Sequence, residues 1–249
     1  RMPKQANDTV FCNTYLHPLY LPGGAVLTEE FPPDHPYHRG VFWAWHQMYV
    51  NGQRLGDGWI LQTVSQQVTS MRQQVDSVAT LELLVDWVSP VWRQGAPFIR
   101  EHTTVVTHPI RNSIRVMDIE IRLMALTSGV TLGGSEDEKG YGGFCIRMRL
   151  PADLVFTAET GTVTPQTLQI TAGPWMDISG TLGMQGEQGG VAILCHPSNP
   201  LYPAPWILRR ETSMQNSVYP GQDPVPIPEE YPVVLRYRMV LHDGKPDAR

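Results

Sequence analysis

The chain has 249 residues and a formal net charge of −5, with 19 Lys and Arg against 24 Asp and Glu. Charged residues make up 17% of it and are spread without blocks, which leaves no basic stripe for nucleic acid and no polybasic patch for a membrane surface. Twenty-two glycines and 22 prolines, scattered through the chain, suit many turns between short strands.

Three cysteines (Cys12, Cys145, Cys195) stand far apart without a Cys-x-x-Cys pair, so neither a zinc knuckle nor a disulfide framework is indicated, and at most one bridge is expected. No apolar run reaches the about 18 to 20 residues that span a bilayer, and the N-terminus lacks the charged-then-apolar pattern of a signal peptide. The compartment stays open: periplasmic or secreted if a leader has been removed, otherwise cytoplasmic. No linker divides the chain, so residues 1–249 are read as a single domain.

In chain order, Thr9 to Leu21 reads as a strand that ends at His17-Pro18 and a Pro22-Gly23-Gly24 turn. The segment Phe31-Pro-Pro-Asp-His-Pro-Tyr-His-Arg-Gly40 follows. Pro32, Pro33 and Pro36 fix φ near −65° and push their preceding residues out of the helical region, which predicts a stiff, non-helical loop from Asp34 to Arg39. From Val41 the aromatic and β-branched residues of Val41-Phe-Trp-Ala-Trp45 predict a strand leaving that loop. Asn51-Gly52 and Gly56-Asp57-Gly58 are turn signals.

Residues 60–88 predict two long antiparallel strands, the second turning Leu81, Leu83, Val85 and Trp87 inward. The same alternation predicts strands over 98–108 and over 113–125, where Met117, Ile119, Ile121 and Leu123 alternate with Asp118, Glu120 and Arg122. Glycine-rich residues 128–143 predict a loop with no buried strand. Short runs at 154–159, 167–171, 174–179 and 190–196 predict further strands, followed by the proline-stiffened His196-Pro-Ser-Asn-Pro200 to Trp206 loop. The last strand alternates Val233, Leu235, Tyr237, Met239 and Leu241 and stops at Asp243-Gly244. No stretch keeps a helical period over three turns. The expected class is all-β, a large two-sheet antiparallel β-sandwich of roughly fifteen or more strands, more than an immunoglobulin-like sandwich holds.

The candidate chemistry lies in the first loop, where three imidazoles (His35, His38, His46) sit with Asp34 and Arg39 inside thirteen residues. Imidazoles transfer protons near neutral pH. His35 and His38 are read as acid and base, Arg39 as the partner of a carboxylate or carbonyl, and Asp34 as orienting an imidazole. His17, His46, Trp45, Tyr141, His196, Asn199 and Trp206 are read as the substrate-binding surround, with His17, His35, His38 and His196 expected to converge on one pocket. The tryptophans suit stacking on a sugar ring, but a sandwich core is the stronger reading for each taken singly, with Trp206 among its prolines the one placed most readily in a binding cleft. Arg147 and Arg149 read as a solvated face or a cross-strand ion pair. His-x-x-His on a turn can offer a metal two nitrogens, but matches neither the helical His-x-x-x-His nor the His-x-His pattern, and no metal or cofactor is expected. There is no Gly-x-Ser-x-Gly elbow, P-loop or dinucleotide fingerprint.

Leu16-His-Pro-Leu-Tyr20, Pro33-Asp-His-Pro-Tyr-His-Arg-Gly40, Phe42-Trp-Ala-Trp45, Lys139-Gly-Tyr-Gly-Gly-Phe144, His196-Pro-Ser-Asn-Pro200 and Tyr237 to Gly244 together resemble the PmoA-type family of bacterial proteins, over about residues 14–244. That family carries a methane-oxygenase label. A particulate methane monooxygenase subunit crosses the membrane several times and this sequence has no span, so the label is read as a misnomer. The resemblance implies a soluble β-sandwich similar to the galactose-mutarotase-like supersandwich, from bacteria that degrade complex carbohydrates. It implies no catalytic residue, and no late glutamate stands in a matching mutarotase motif. The function expected is a carbohydrate-active enzyme working on a sugar or uronic-acid-containing saccharide by histidine acid/base chemistry, its partner a small molecule or oligosaccharide. The alternatives are a non-catalytic carbohydrate-binding or scaffold protein and a metal-dependent oxygenase or hydrolase.

Overall fold

The computed structural model describes residues 14–211 and 214–244. Among them lie eighteen strands and one 3-10 turn at Arg93–Gly95. In chain order the strands begin with β1 (Tyr15–Leu16), β2 (Val41–Trp45), β3 (Gln47–Val50), β4 (Gln53–Gly56), β5 (Ser65–Val75) and β6 (Ala79–Val88). They continue with β7 (Pro97–Thr107), β8 (Ile114–Ala125), β9 (Val130–Gly133), β10 (Gly142–Ile146), β11 (Val155–Ala158) and β12 (Gly161–Val163). The last are β13 (Trp175–Thr181), β14 (Gln188–Cys195), β15 (Trp206–Ile207), β16 (Gln215–Val218), β17 (Val225–Pro226) and β18 (Val233–Asp243).

All pairings are antiparallel. A large sheet of nine strands runs β12-β11-β13-β14-β18-β8-β7-β6-β5, a small sheet of five runs β1-β2-β10-β16-β15, and a side sheet of four runs β17-β9-β3-β4. The small and side sheets are continuous through β2 and β3, which only His46 separates. Val41, Trp43 and Trp45 point into the core before His46, and Met48 and Val50 point into it afterwards. One residue at the bend thus shifts the side-chain parity and keeps both halves buried.

The small and side sheets together form the second layer over the large sheet, with a core between them. Phe144 of β10 stacks on Tyr237 of β18 at 4.1 Å. Glu101 of β7 is fully buried there and accepts from Trp43 Nε1 and Trp87 Nε1, each at 3.0 Å, and from Thr103 Oγ1 at 2.7 Å. Burial pushes its carboxyl above the usual range in spite of those donors.

The all-β sandwich expected from alternation is what forms, and the Asn51-Gly52 hairpin has the positive φ values, 51° and 78°, of a type I′ turn. Three local readings change. Val130–Gly133 inside the expected loop is a strand, because Val130 and Leu132 are buried where β9 pairs with β3, leaving residues 134–141 as the loop. Of the strand expected from Thr9 to Leu21, Tyr15–Leu16 forms a strand that His17-Pro18 ends, Tyr20 makes an isolated bridge to Val26, and residues 9–13 lie outside the described residues. The run at 167–171 is reduced to an isolated bridge between Ile170 and Trp206.

Candidate functional site

The first loop folds as two successive turns over the outer face of the small sheet. The His35 N–H donates to Pro32 O (3.1 Å) and the His38 N–H to His35 O (2.9 Å), so the prolines produce the stiff non-helical segment expected of them. Gly40 then takes φ +52°, and a Cβ there would strike the Leu16 carbonyl oxygen of β1. Only glycine fits that close approach.

Asp34 is held from two sides. Arg147 Nη1 and Nη2 donate to its two oxygens at 2.9 and 2.8 Å, and His35 Nδ1 lies 2.7 Å from Oδ2. Burial alone would raise the Asp34 carboxyl, but the hydrogen bonds from Arg147 and His35 outweigh it and bring the pKa down to about 2. A carboxylate ionised at neutral pH can only accept, so His35 Nδ1 carries a proton, and whenever the ring is neutral Nε2 holds the lone pair. Arg147 itself is buried, with Nε on Glu29 at 3.1 Å.

His46 repeats the arrangement with Asp57. Its Nδ1 lies 2.8 Å from Asp57 Oδ2, while Asp57 Oδ1 accepts the Trp59 and Ile60 N–H groups at 2.9 and 3.2 Å. The His46 ring stacks on Trp59 at 5.1 Å. Between the two pairs lies His38, 1% exposed, stacked on His35 at 4.7 Å and on Phe42 at 5.3 Å, with the Trp59 ring edge-on at 5.7 Å. Neither of its ring nitrogens has a hydrogen-bond partner among the described residues. Burial first, then the charges of His35 and Arg147, push its pKa down to about 3, so the imidazole is neutral at neutral pH.

Tyr141 extends this aromatic wall, 5.6 Å from Trp59, and its hydroxyl takes a hydrogen bond from Arg209 Nη2 at 2.6 Å. A cavity of about 540 Å³ lined by Tyr141, Lys139, Arg209 and Arg210 opens beside it. Among the described residues, no three or more His, Cys, Asp or Glu side chains are grouped to hold a metal ion.

A family model described as a family of unknown function, DUF6807, matches residues 4–249. The chain belongs to DUF6807. No curated protein and no solved structure matches it.

In this DUF6807 chain the structure brings together seven of the residues singled out in the sequence: Asp34, His35, His38, Arg39, His46, His17 and Tyr141. Their settings differ from those expected. His38 is closed off from solvent and has no group to exchange a proton with. Arg39 is buried with its guanidinium 4.3 Å above the Phe31 ring and 5.4 Å from the Tyr15 ring, turned to aromatic faces instead of to an open anion site. His17 sits at the margin, its Nδ1 2.9 Å from Thr28 Oγ1 and its Nε2 3.8 Å from Glu30.

Four residues lie elsewhere. Trp45 and Trp206 are wholly buried, each indole N–H on a backbone carbonyl, Tyr219 O at 2.8 Å and Gly173 O at 3.0 Å. They are core, because the large sheet packs over the parity that carries Trp45 and the Ile170 bridge covers Trp206; neither offers a free ring face to a sugar. His196 and Asn199 stand at the end of β14 on the outer face of the large sheet, so the expected convergence of His196 with His17, His35 and His38 does not occur. Three residues of the site went unread in the sequence. Asp57 and Trp59 were hidden in a segment read only as a turn, and Arg147 is the buried clamp of Asp34 instead of part of a solvated face. Asp57-Gly58-Trp59 directly after a strand is the one local signal for the first two, and Arg147 leaves none.

Proposed function

We propose that this chain acts on a sugar or a uronate-containing saccharide by proton transfer through two histidine–aspartate pairs, His35–Asp34 and His46–Asp57. The observation that carries this reading is the matched geometry of the two pairs. Each imidazole commits Nδ1 to a carboxylate, which fixes the tautomer, stabilises the imidazolium once it forms and makes Nε2 the working atom. Trp59 is buried between the pairs, with the half-buried Tyr37 beside His35 and Tyr141 beside Trp59, and a saccharide lying across the two tyrosines meets both imidazoles. One then removes a proton and the other returns one, as epimerisation, elimination or hydrolysis of a sugar requires. His38 supplies a neutral ring to the wall. The resemblance of the Asp34 to Gly40 segment to PmoA-type proteins, which implies a source in bacteria that degrade complex carbohydrates, is what favours a saccharide as the substrate.

A saccharide-binding role without turnover is the second reading, favoured by the cover that His35 and Tyr37 place over His38. Incubation with a panel of neutral and uronate oligosaccharides in deuterated water separates the two. The enzyme reading expects turnover, seen as deuterium at carbon for an epimerisation or as cleavage products for an elimination or hydrolysis, slowed roughly 10²- to 10⁴-fold in His35→Ala with affinity nearly kept. Binding with neither exchange nor cleavage by any panel member sinks it in favour of the second reading.

A further inference from the structure

Tyr141 stands where the loop before β10 meets the segment that follows β15, and two arginines of that segment lie beside it. Arg209 spends its four Nη hydrogens on neutral acceptors: Nη2 on the Tyr141 hydroxyl at 2.6 Å and Thr167 O at 2.9 Å, Nη1 on Gln166 O at 2.8 Å and Leu208 O at 2.9 Å. None of these partners cancels its charge. Arg210 is exposed and gives Nη1 to Leu154 O at 2.7 Å, while its Nε and Nη2 have no partner among the described residues. Neither arginine forms an ion pair with a carboxylate among the described residues.

Both arginines and Lys139 line the cavity of about 540 Å³ beside Tyr141, and no Asp or Glu lines it. Asp137 lies outside the lining and offsets one charge, its Oδ2 3.3 Å from Lys139 Nζ. Glu138 and Glu211 neighbour these cations in the chain, but neither lines the cavity nor makes an ion pair among the described residues. The two guanidinium charges are therefore left uncompensated in one concave surface, which concentrates a positive potential there. Its walls are fixed in advance. Gln169 Nε2 donates to Lys139 O at 2.9 Å, while Gln215 accepts the Arg209 N–H at 2.7 Å and donates to Arg209 O at 2.8 Å. The cavity also adjoins the histidine pairs: Tyr141 lies 5.6 Å from Trp59, and Trp59 stacks on His46 at 5.1 Å.

We infer that this cavity is the subsite for an acidic unit of the saccharide, so that the ligand of the histidine pairs is a uronate-containing chain and not a neutral one. The free N–H groups of Arg210 and of Lys139 receive the carboxylate. Arg209 adds its charge and, through its bond to the Tyr141 hydroxyl, holds the ring that separates this unit from the one at His46. Arginine does not exchange protons at neutral pH, so the subsite binds and orients while the histidines carry any proton transfer. The inference rests on a saccharide being the ligand at the histidine pairs, which the enzyme and the binding readings share.

The test is a titration of the ¹⁵N-labelled protein with digalacturonate, and separately with neutral digalactose and with inorganic sulfate, following backbone amide shifts. Digalacturonate is expected to shift the amides of Lys139, Tyr141, Arg209 and Arg210. Digalactose, which lacks the charge, and sulfate, which lacks a ring to lie on Tyr141, should each bind there at least about tenfold more weakly. Arg210→Gln should lower digalacturonate affinity about tenfold. Should that variant fail to fold, Lys139→Gln carries the same test. Asp137→Asn should act in the opposite direction and raise the affinity about twofold to fivefold, because it frees Lys139 from its carboxylate while Oδ1 still accepts from Ser135 and the Lys139 N–H. No shift at these residues, equal binding of digalactose or of sulfate, or undiminished affinity in a folded variant each overturns the inference. Turnover of a neutral oligosaccharide as fast as of the uronate overturns it too, and leaves the histidine chemistry standing. Digalacturonate bound here with no turnover of any oligosaccharide upholds the subsite and removes the proton-transfer reading instead.

Discussion

The two outer faces of this sandwich use carboxylates in the same way and bases in opposite ways. Over the small sheet, Asp34 and Asp57 hold imidazoles; over the large sheet, Asp118 and Glu120 hold guanidinia. An imidazole changes charge near neutral pH and a guanidinium does not, so the first face pairs its carboxylates with groups that can pass protons, while on the second guanidinia dominate and His108 beside Asp118 is the exception. The faces also differ in depth. The Arg147 side chain that clamps Asp34 is 5% exposed, whereas that of Arg238 beside Asp118 is 53% exposed. The same residue pairing is thus a buried structural clamp on one side and a water-exposed ion pair on the other.

The largest expected effect sharpens the chemical half of this contrast. Asp57→Asn keeps Oδ1 as the acceptor for the Trp59 and Ile60 N–H groups but presents an amide N–H to His46 Nδ1. That moves the imidazole proton to Nε2 and removes the lone pair from the working atom. Turnover of whichever saccharide the panel yields should fall roughly 10²- to 10⁴-fold with the melting temperature nearly kept. Asp118→Asn should leave kcat within about twofold, since no proton moves on the arginine face. If Asp118→Asn lost kcat and Asp57→Asn did not, the two faces would have to exchange roles.

Burial gives the next effect. Asp34→Ala strips the buried Arg147 of its bidentate partner and leaves it only Glu29, which should cost about 3 to 5 kcal/mol of unfolding free energy. Asp118→Ala breaks pairs that water already reaches and should cost about 0 to 1 kcal/mol. Urea denaturation of both variants measures the difference. Equal losses would mean that Arg147 is as well hydrated as Arg238, and the clamp reading would fail.

What the sequence made legible follows from the range of each interaction. The alternation in β6, β7, β8 and β18 was readable because one face of each strand is buried along its whole length. The parity shift at His46 was not, since one extra residue at a bend leaves no mark in composition. Asp34 and His35 are neighbours in sequence, so their pairing lay within reach of local reasoning. Arg147 joins Asp34 from far along the chain, and Trp59 reaches His38 only because the Asp57 turn folds back over β2. Trp45 and Trp206 failed as ligands for a related reason: a tryptophan on an alternating strand looks the same whether its face meets solvent or another layer, and the packing of the layers decides.

The smallest expected effect is one of slope, and it isolates His38. Unfolded, this imidazole takes up a proton as pH falls through its ordinary value of about 6.5; folded, it resists until about 3. Below 6.5 the unfolded chain therefore binds more protons. The stability His38 contributes is full above about 6.5 and is lost as pH falls towards 3, at about 1.4 kcal/mol per pH unit. His38→Phe keeps an aromatic ring between His35 and Phe42 and leaves no polar atom in a site that offered His38 no partner, so it should fold with little penalty at neutral pH. The comparison is the difference in unfolding free energy between parent and variant from pH 7 down to 4.5. The carboxyls of Asp34, Asp118 and Glu120 are all held low, so their own losses begin as pH falls towards about 5, and being present in both proteins they cancel in the difference. His242 is raised by Asp177 against the opposing effect of burial, and so loses stability as pH rises. It is present in both proteins and cancels in the difference. Parallel curves for parent and variant would show that His38 is protonated as easily in the folded chain as in the unfolded one, and the neutral ring between the two histidine–aspartate pairs would have to be abandoned.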